Sequence, residues 1–587
     1  MTLAGRARRW LWTAPAAVLL AGFAWAIAVA GRSHLPGADF TFNNNSEVST
    51  LDPALVSSIP EGRILRALSE GLVIRDPETL AILPGAAATW ETADEGRRWT
   101  FHLRPGMRWS NGNQLTVADF AFSFQRLLLP ATASPYASFL FAVVGAKEYH
   151  AGRGAAGAAS WNDVGIKTLD PLTLEFQLES PRPYFLHLLA STALLPVHMQ
   201  SLQAMRQRFP DSWTTQWLRP ENLVCNGPYT LASRRINDRI RLAKNPRYWD
   251  ADNVAFESID ALAVEHGGTA LNMYLTGGCD WIDGNVPPLY VNQMLGREDF
   301  RPKASPYLGL YFYRLNCTKP PLDDARVRKA LAFTINREEV CEKLLKAGQE
   351  PCYTFVPWGK LGSYESPLAE NASVPLARRL LGAAGYNKDH RVPPLSIHYN
   401  TAESHRDIAE VIAHTWNQTL GMQVGLANQE WKVWLDSQTR LDYQISRSSW
   451  IADYPDASSF LGVFTSDNPN NRTGWKNAAF DDLMARSERE ADPEQRNLLL
   501  YKAERILQDE MPAIPIYSYV AQNVVNPRLG GFGNNPLNEQ NPKFWYWKDD
   551  DELWQDRRKR VSSMRIVDAP GPTAGLYSKA ARKARGS

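Results

Sequence analysis

The chain has 587 residues, of which 44% are hydrophobic and 21% are charged, and its formal net charge is +2. This composition excludes a disordered chain, a collagen, a coiled coil and a polytopic membrane protein, and the length predicts several domains or one large α/β body. The excess positive charge lies at the two ends, so residues 31–547 carry a net charge of −5, which argues against a nucleic-acid-binding protein.

The first 30 residues have the pattern of an export signal. Three arginines within residues 1–9 precede an uncharged stretch, residues 10–30, that ends in a small-x-small cleavage pattern before Gly31. We therefore predict that residues 1–30 are a cleaved signal peptide. The alternative is that the same stretch is kept as an uncleaved N-terminal anchor. In both cases we expect the body of the protein to lie outside the inner membrane.

Strand and helix patterns alternate in the first half of the body. Apolar residues at every second position predict a strand over residues 98–104 and another over 174–178. Between them, Thr116 and Asp119 have the spacing of a capping box, which predicts a helix whose apolar face begins at Phe120.

The second half of the body contains two further predicted helices and a tail. One helix is predicted to open at Asp323, and the next to be capped by Asn336 and to close at Gly348. Residues 551–587 are basic and rich in small residues, so we predict a mostly disordered tail there.

Motifs of catalysis and metal binding are missing from the sequence. It contains no nucleotide P-loop, no GxSxG elbow and no HExxH helix, and its five cysteines form no CxxC pair. We therefore predict that the protein is not an enzyme and uses no cofactor or metal. An exported hydrolase acting on cell-wall peptides without a recognisable motif stays open as an alternative.

Six motifs occur in the order in which one family carries them. They are WTFHLRPGMRWSNG (99–112), NGPY (226–229), NPRYW (245–249), PLDDARVRKAL (321–331), NQEW (428–431) and WIADYP (450–455). This series resembles the extracytoplasmic peptide-binding proteins of ABC importers, which are solute-binding proteins of family 5. It is most similar to the periplasmic oligopeptide-binding branch of that family.

The resemblance implies an α/β, two-lobed periplasmic-binding-protein fold (type II, cluster C) with an extra inserted domain and hinge crossovers. The lobes of this fold close on a ligand like a trap. The implied domains are a first segment of lobe 1 (31–69), the inserted domain (70–205), a second segment of lobe 1 (206–306), lobe 2 (307–520) and a return to lobe 1 (521–550).

The resemblance also implies a peptide site between the lobes. Asp453 matches the position that binds the peptide α-ammonium, and Arg447 and Arg440 match arginines that take the carboxylate. His405 matches a position that meets the carboxylate of longer peptides. The other matched cleft positions are Trp431, Trp450, Tyr136, Tyr307, Ser57 and Ile59.

Each of these positions also has a plain structural explanation. Asp453 could be a turn residue before Pro455, either arginine a solvated residue at a strand edge, and the aromatic rings ordinary core residues. Ser57 stands where some relatives have a glutamate, so the resemblance implies no preference for basic peptides.

The implied function is the capture of short peptides of about two to five residues, which pair with the protein as an added strand. The implied partners are an inner-membrane ABC permease and its ATPase subunits, with no nucleic acid. Alternatives within the same fold are a murein tripeptide, a nickel chelate, haem or an opine as the ligand. A membrane-held docking subunit is a further alternative. Gly309 and Ile451 replace a cysteine pair of some relatives, which leaves the five cysteines unassigned.

Overall fold

The computed structural model describes residues 37–56, 58–152, 160–284, 303–370 and 372–548. The predicted signal segment, the predicted tail and the predicted cleft residue Ser57 lie outside the described residues.

The strands of the described ranges are numbered in chain order. They are β1 (Phe40–Asn43), β2 (Val73–Arg75), β3 (Ile82–Pro84), β4 (Ala87–Ala93), β5 (Arg98–Leu103), β6 (Ile166–Asp170), β7 (Thr173–Gln177), β8 (Tyr229–Arg235), β9 (Arg239–Lys244), β10 (Ser258–Leu262), β11 (Trp281–Asp283), β12 (Lys303–Leu315), β13 (Glu350–Pro351), β14 (Lys360–Leu361), β15 (Tyr364–Glu365), β16 (Leu395–Asn400), β17 (Val424–Gln429), β18 (Ile445–Ile451), β19 (Ala513–Val525), β20 (Leu529–Gly530) and β21 (Tyr546–Trp547).

The α-helices of the same ranges are numbered in the same way. They are α1 (Ile59–Leu68), α2 (Val117–Leu128), α3 (Ala146–His150), α4 (Phe185–Leu189), α5 (Met199–Arg208), α6 (Trp213–Gln216), α7 (Gly267–Leu275), α8 (Ala325–Ala332), α9 (Val374–Ala383), α10 (Glu403–Leu420), α11 (Trp431–Thr439), α12 (Ser458–Leu461), α13 (Ala478–Arg489) and α14 (Pro493–Glu510).

One large mixed sheet runs through the molecule. Its strand order is β17-β16-β18-β12-β19-β11-β1-β10-β9-β8, with β13 also paired to β19. The central strands β12 and β19 are 13 residues long and antiparallel, and their pairing is irregular between Pro306 and Leu310. Strand β18 pairs with β12 at one end of the β12–β19 pair, and β11 pairs with β19 at the opposite end. The strands β12 and β19 therefore join the two halves of the sheet.

The apolar side chains of the described residues form three large clusters. One lies within residues 308–517 and packs on the half of the sheet that contains β16, β17 and β18. A second, made mostly from residues 72–194, surrounds a separate four-stranded antiparallel sheet of order β4-β5-β7-β6. The third combines residues 40–68 and 195–281 with Leu529 and Trp545. The predicted domain boundaries themselves stay predictions.

Local sequence signals explain where several elements begin. Thr116 and Asp119 form the predicted capping box at the start of α2. Phe120, Phe124 and Leu128 are at most 1% exposed and give this helix its buried face. The predicted strands over 98–104 and 174–178 are observed as β5 and β7, which pair with each other.

Two predicted helix boundaries need correction. The helix predicted to open at Asp323 is capped instead by Asp324, whose carboxylate accepts a backbone N–H of the first turn. Asn336 does cap the next turn, but that turn, Glu339–Leu345, is a π-helix and ends before Gly348. In the part of the chain that is described, no helix is both long and apolar enough to cross a membrane.

Glu70 connects two of the sequence motifs. Its carboxylate is buried and accepts hydrogen bonds from Tyr248, from Trp249 Nε1 at 2.6 Å and from Lys543 Nζ at 3.3 Å. Its backbone N–H and C=O are both bonded to the side chain of Asn226. The motifs NGPY and NPRYW therefore hold separate chain segments together around one buried acid.

Gly533 provides a test of how the last segment of the chain docks. A Cβ at this position would lie 1.5 Å from Pro77 O, a backbone atom that also accepts a hydrogen bond from Asn535 Nδ2 at 2.9 Å. We expect Gly533→Ala to destabilise the protein by about 1–3 kcal/mol or more, because the backbone must shift. A matched control is Gly382→Ala in α9, where a Cβ meets nothing within 4 Å. The measurement is the thermal unfolding midpoint, and equal midpoints for the two variants would contradict this packing.

Candidate ligand-binding site

The candidate site lies along β18 and the turn that follows it. Arg447 is near the start of this strand and Asp453 is two residues beyond its end. In the antiparallel pairing with β12, Arg447 lies opposite Tyr313 and Ile451 lies opposite Gly309. One strand thus places a cation and an anion beside the junction of the two halves of the sheet.

Arg447 is 6% exposed and is surrounded by neutral groups. Its Nη1 donates to Asn400 Oδ1 at 3.2 Å and its Nη2 donates to Tyr519 OH at 3.0 Å. The guanidinium carbon lies 4.9 Å from the ring centre of Tyr311 and 5.9 Å from that of Trp434.

No carboxylate among the described residues forms an ion pair with Arg447, and its Nε has no hydrogen-bond partner there. Burial by itself lowers the pKa of Arg447, but the neighbouring hydroxyls of Tyr519 and Tyr311 more than offset it, so the pKa is raised. Arg447 is therefore a buried, permanently charged cation that lacks a counterion.

His405 lies beside this cation at the start of α10. Its Nδ1 is 3.4 Å from the hydroxyl of Tyr311. Burial, together with the positive charge of Arg447, lowers the pKa of His405 to about 2. The imidazole is therefore neutral and can exchange hydrogen bonds with a ligand without adding charge to the site.

Asp453 is the anionic counterpart at the other end of the strand. Its backbone N–H donates to Ser459 Oγ at 3.3 Å, and its C=O accepts from Arg75 Nη2 at 3.4 Å. Its carboxylate has no hydrogen bond or ion pair within the described ranges. Loss of hydration raises the pKa of Asp453 to about 7, and the positive charge of Arg75 opposes this rise.

The predicted aromatic residues lie around these charges. Tyr136 is half-buried, and the charge of Asp453 adds to burial in raising its pKa. Tyr307 is buried, its hydroxyl has no hydrogen-bond partner in the described structure, and its ring centre is 6.3 Å from that of Tyr519. Trp450 is half-buried on β18, and its Nε1 also lacks such a partner.

The two remaining described positions are more open. Trp431, the first residue of α11, is 52% exposed and contacts the buried Trp434 at a ring distance of 4.9 Å. Ile59, the first residue of α1, is 41% exposed. Both side chains are free to contact a solute.

Arg440 has a different environment from the one predicted. It follows the end of α11, is exposed, and pairs with Asp436 at 2.8 Å, one helical turn earlier. This i,i+4 pairing is the ordinary behaviour of surface charges on a helix. The structure does not bring Arg440 into the cluster around Arg447.

The sequence analysis did not predict several residues that lie around Arg447 and Asp453. Tyr311 on β12 and Tyr519 on β19 had a usable signal, because tyrosines recur at every second position of both strands and so share a face. Asn400, Trp434 and Arg75 had no such signal, because each meets the site only through tertiary folding.

Gly309 and Ile451 fit each other sterically. A Cβ at Gly309 would lie 2.4 Å from Ile451 Cδ1, so the glycine leaves room for the isoleucine. All five cysteines are free thiols. The described residues also include no group of three or more His, Cys, Asp and Glu side chains that could hold a metal ion.

Comparison with known proteins places this geometry in a family. Residues 81–472 match the family described as bacterial extracellular solute-binding proteins, family 5 Middle. The chain is 36% identical over 506 residues to the periplasmic oligopeptide-binding protein OppA of Salmonella typhimurium, covering 84% of this chain and 90% of that protein. It is 35% identical over 523 residues to the probable deoxycholate-binding periplasmic protein YgiS of Escherichia coli, covering 87% and 94%.

Solved structures give the same result. The structure of the Escherichia coli murein tripeptide binding protein MppA matches with a TM-score of 0.78 and 31% identity over 87% of this chain and 99% of that chain. The unliganded open form of MppA matches with a TM-score of 0.67 and 32% identity, over 86% and 97%.

The chain therefore belongs to family 5 of the bacterial extracellular solute-binding proteins. It is the substrate-binding protein of an ABC importer and not an enzyme, and it has the predicted two-lobed α/β periplasmic-binding-protein fold.

The raised pKa of Asp453 predicts a pH-dependent stability. In the unfolded chain this carboxyl titrates near 4, whereas in the folded protein its pKa is about 7. The ionised carboxylate therefore costs no folding free energy below pH 4, an increasing amount between pH 4 and 7, and a constant amount above. We expect Asp453→Asn to stabilise the ligand-free protein by about 1–3 kcal/mol at pH 8 and by much less at pH 5.

The measurement is the unfolding free energy of both proteins at the two pH values. Asp389→Asn, at an exposed aspartate, is the matched control and should change neither value. An equal effect of Asp453→Asn at pH 5 and pH 8 would show that the carboxyl is not perturbed.

Proposed function

We propose that this protein captures short peptides outside the inner membrane and delivers them to an ABC permease and its ATPase subunits. The observation that carries the proposal is a pair of ionisable groups of opposite sign without a partner, Arg447 on β18 and Asp453 in the turn that follows it. Arg447 is buried and Asp453 is half-buried, and removing an unpaired charge from water costs free energy, so this site is suited to a ligand that brings both counterions. A peptide zwitterion is such a ligand.

The spacing of the two charges agrees with a short peptide. Asp453 is six positions after Arg447, so their Cα atoms are at most about 20 Å apart along an extended strand. A peptide of about two to five residues, extended beside the strand, spans such a gap.

Each end of the peptide has a defined partner in this proposal. The free carboxylate of Asp453 accepts charge-assisted hydrogen bonds from the α-ammonium group, which also keeps the carboxyl ionised. The guanidinium of Arg447 binds the α-carboxylate, to which its Nε is free to donate a hydrogen bond. The neutral imidazole of His405 lies beside this group.

The walls of the site supply hydrogen bonds and apolar surface. The buried donors of Tyr307 and Trp450 have no protein partner among the described residues, so ligand amides or ordered water can satisfy them. Water can adapt these contacts to different side chains, which favours a receptor of broad specificity.

The relatives support a proposal about where the protein is located. The curated relatives named above are periplasmic proteins, and we propose a periplasmic location for this one, after export by residues 1–30. The alternative of an uncleaved N-terminal anchor holds the same body at the outer face of the inner membrane.

A dedicated ligand is the second candidate function. The name of MppA specifies a murein tripeptide and that of YgiS probable binding of deoxycholate, so the names of relatives of similar identity specify different ligands. An unpaired acid at Asp453 favours ligands with a free ammonium group, including a murein tripeptide, over nickel chelates and haem.

The amine-binding role of Asp453 predicts a selective loss of affinity. We expect Asp453→Asn to weaken the binding of tri-alanine by about 2–5 kcal/mol, because the ammonium loses its anion. N-acetylated tri-alanine should already bind the wild type poorly and should lose little more in the variant. Isothermal titration calorimetry checks both values, and equal binding of free and acetylated peptide to the wild type would refute the amine anchor.

Arg447 and Arg440 provide a matched pair for the carboxylate end. We expect Arg447→Gln to weaken tri-alanine binding by about 2–5 kcal/mol, with a much smaller effect on C-terminally amidated tri-alanine. Arg440→Gln should leave both affinities unchanged, because Arg440 is exposed and paired with Asp436. If Arg440→Gln weakened binding and Arg447→Gln did not, the carboxylate site would have to be reassigned.

A further inference from the structure

The turn that carries Asp453 also carries a contact between lobe 2 and the inserted domain. We call residues 453–456 the Asp453 turn. Within it, the ring of Tyr454 stacks on that of Tyr184 with centroids 4.5 Å apart and planes 8° from parallel. Tyr184 is 8% exposed and belongs to the apolar cluster of the inserted domain. Among the apolar and aromatic side chains of the described residues after 303, Tyr454 alone packs against that cluster.

The lobe 2 side of this contact is rigidly held. Asp456 accepts two hydrogen bonds from Arg496 of α14, at 2.9 and 2.8 Å, and a third from the backbone N–H of Ser458 at 2.9 Å. The guanidinium carbon of Arg496 also lies 5.7 Å from the ring centre of Tyr184. The Asp453 turn therefore moves together with α14 and not independently.

A second contact joins lobe 2 to the inserted domain, two residues before Tyr184 in the sequence. Arg182 Nη1 donates to the backbone C=O of Glu488 at 2.8 Å, and Nη2 pairs with its carboxylate at 3.1 Å. The guanidinium of Arg182 is mostly buried, whereas Glu488 is partly exposed. Two residues of the inserted domain therefore contact lobe 2: Arg182 contacts α13, and Tyr184 contacts the Asp453 turn.

We propose that Tyr184 and Arg182 form a closure latch that holds the Asp453 turn against the inserted domain and slows ligand release. The lobes are joined through β12 and β19, so rotation about these strands separates the latch residues while each lobe keeps its own core. Since Tyr454 adjoins Asp453, the latch contact brings Asp453, with any ammonium it binds, against the inserted domain, whose Arg75 donates to the C=O of Asp453. Ligand binding and closure therefore favour each other. The effect on ligand release rests on the proposed function, whereas the effect on closure does not.

The test uses the full exported chain with two latch variants, Tyr454→Leu and Arg182→Gln. Two controls match them: Tyr454→Phe keeps the stacked ring, and Arg97→Gln removes an exposed arginine of the same domain. Stopped-flow displacement of tri-alanine gives the release rate, and small-angle X-ray scattering gives the radius of gyration with and without peptide.

The latch predicts a release rate about 3–10-fold faster in Tyr454→Leu and in Arg182→Gln, with association rates changed less than about twofold. It also predicts a larger radius of gyration for both ligand-free variants than for the ligand-free wild type. Tyr454→Phe and Arg97→Gln should match the wild type in both measurements.

The proposal would be overturned if both latch variants had the release rate and the radius of gyration of the wild type. This holds even if the unfolding midpoints of the variants fall, since the contact would then be ordinary packing. If the wild type bound no peptide, the proposed function would fail, but scattering of the ligand-free variants would still decide whether the latch exists.

Discussion

The antiparallel pairing of β12 with β19 is the constraint on which the rest of the structure depends. Both strands are 13 residues long and cross from one half of the sheet to the other, so they belong to both lobes. They carry the tyrosines that surround Arg447, and β12 aligns β18 by its pairing from Gly309 to Leu315. The same two strands therefore connect the lobes and set the position of the cleft.

The charges of the cleft have a cost that folding alone does not offset. Several buried arginines elsewhere are paired with a carboxylate: Arg126 with Asp52, Arg241 with Asp260, and Arg496 with Asp456. Others, such as Arg328 and Arg337, donate to backbone carbonyls instead. Arg447 donates to neutral side chains and the carboxylate of Asp453 has no partner in the described structure, and loss of hydration raises the pKa of Asp453. A ligand that supplies both counterions removes the cost, which links affinity to closure of the lobes.

Sequence reasoning predicted the parts of the protein that depend on local patterns. The capping box at Thr116 is local, and so is the alternation of β5. The fold was predicted from the resemblance that the ordered motifs carry. The structure shows that some of these motif residues hold separate segments together, as Asn226, Tyr248 and Trp249 do around Glu70.

The site itself could be predicted only in part. Arg447 and Arg440 are seven residues apart and both match arginines that take the carboxylate, yet one lies within a strand of the sheet and the other follows a surface helix. Arg75 is 378 residues from Asp453 in the sequence, and Asn400 is 47 residues from Arg447. No local sequence pattern predicts contacts over such separations.

The most direct test of the account is native mass spectrometry of the exported protein, purified without denaturation and then mixed with tri- to pentapeptides. The account predicts a heterogeneous load of short peptides that the added peptides displace without being cleaved. A single adduct of fixed mass that no peptide displaces would contradict it and would indicate a dedicated ligand.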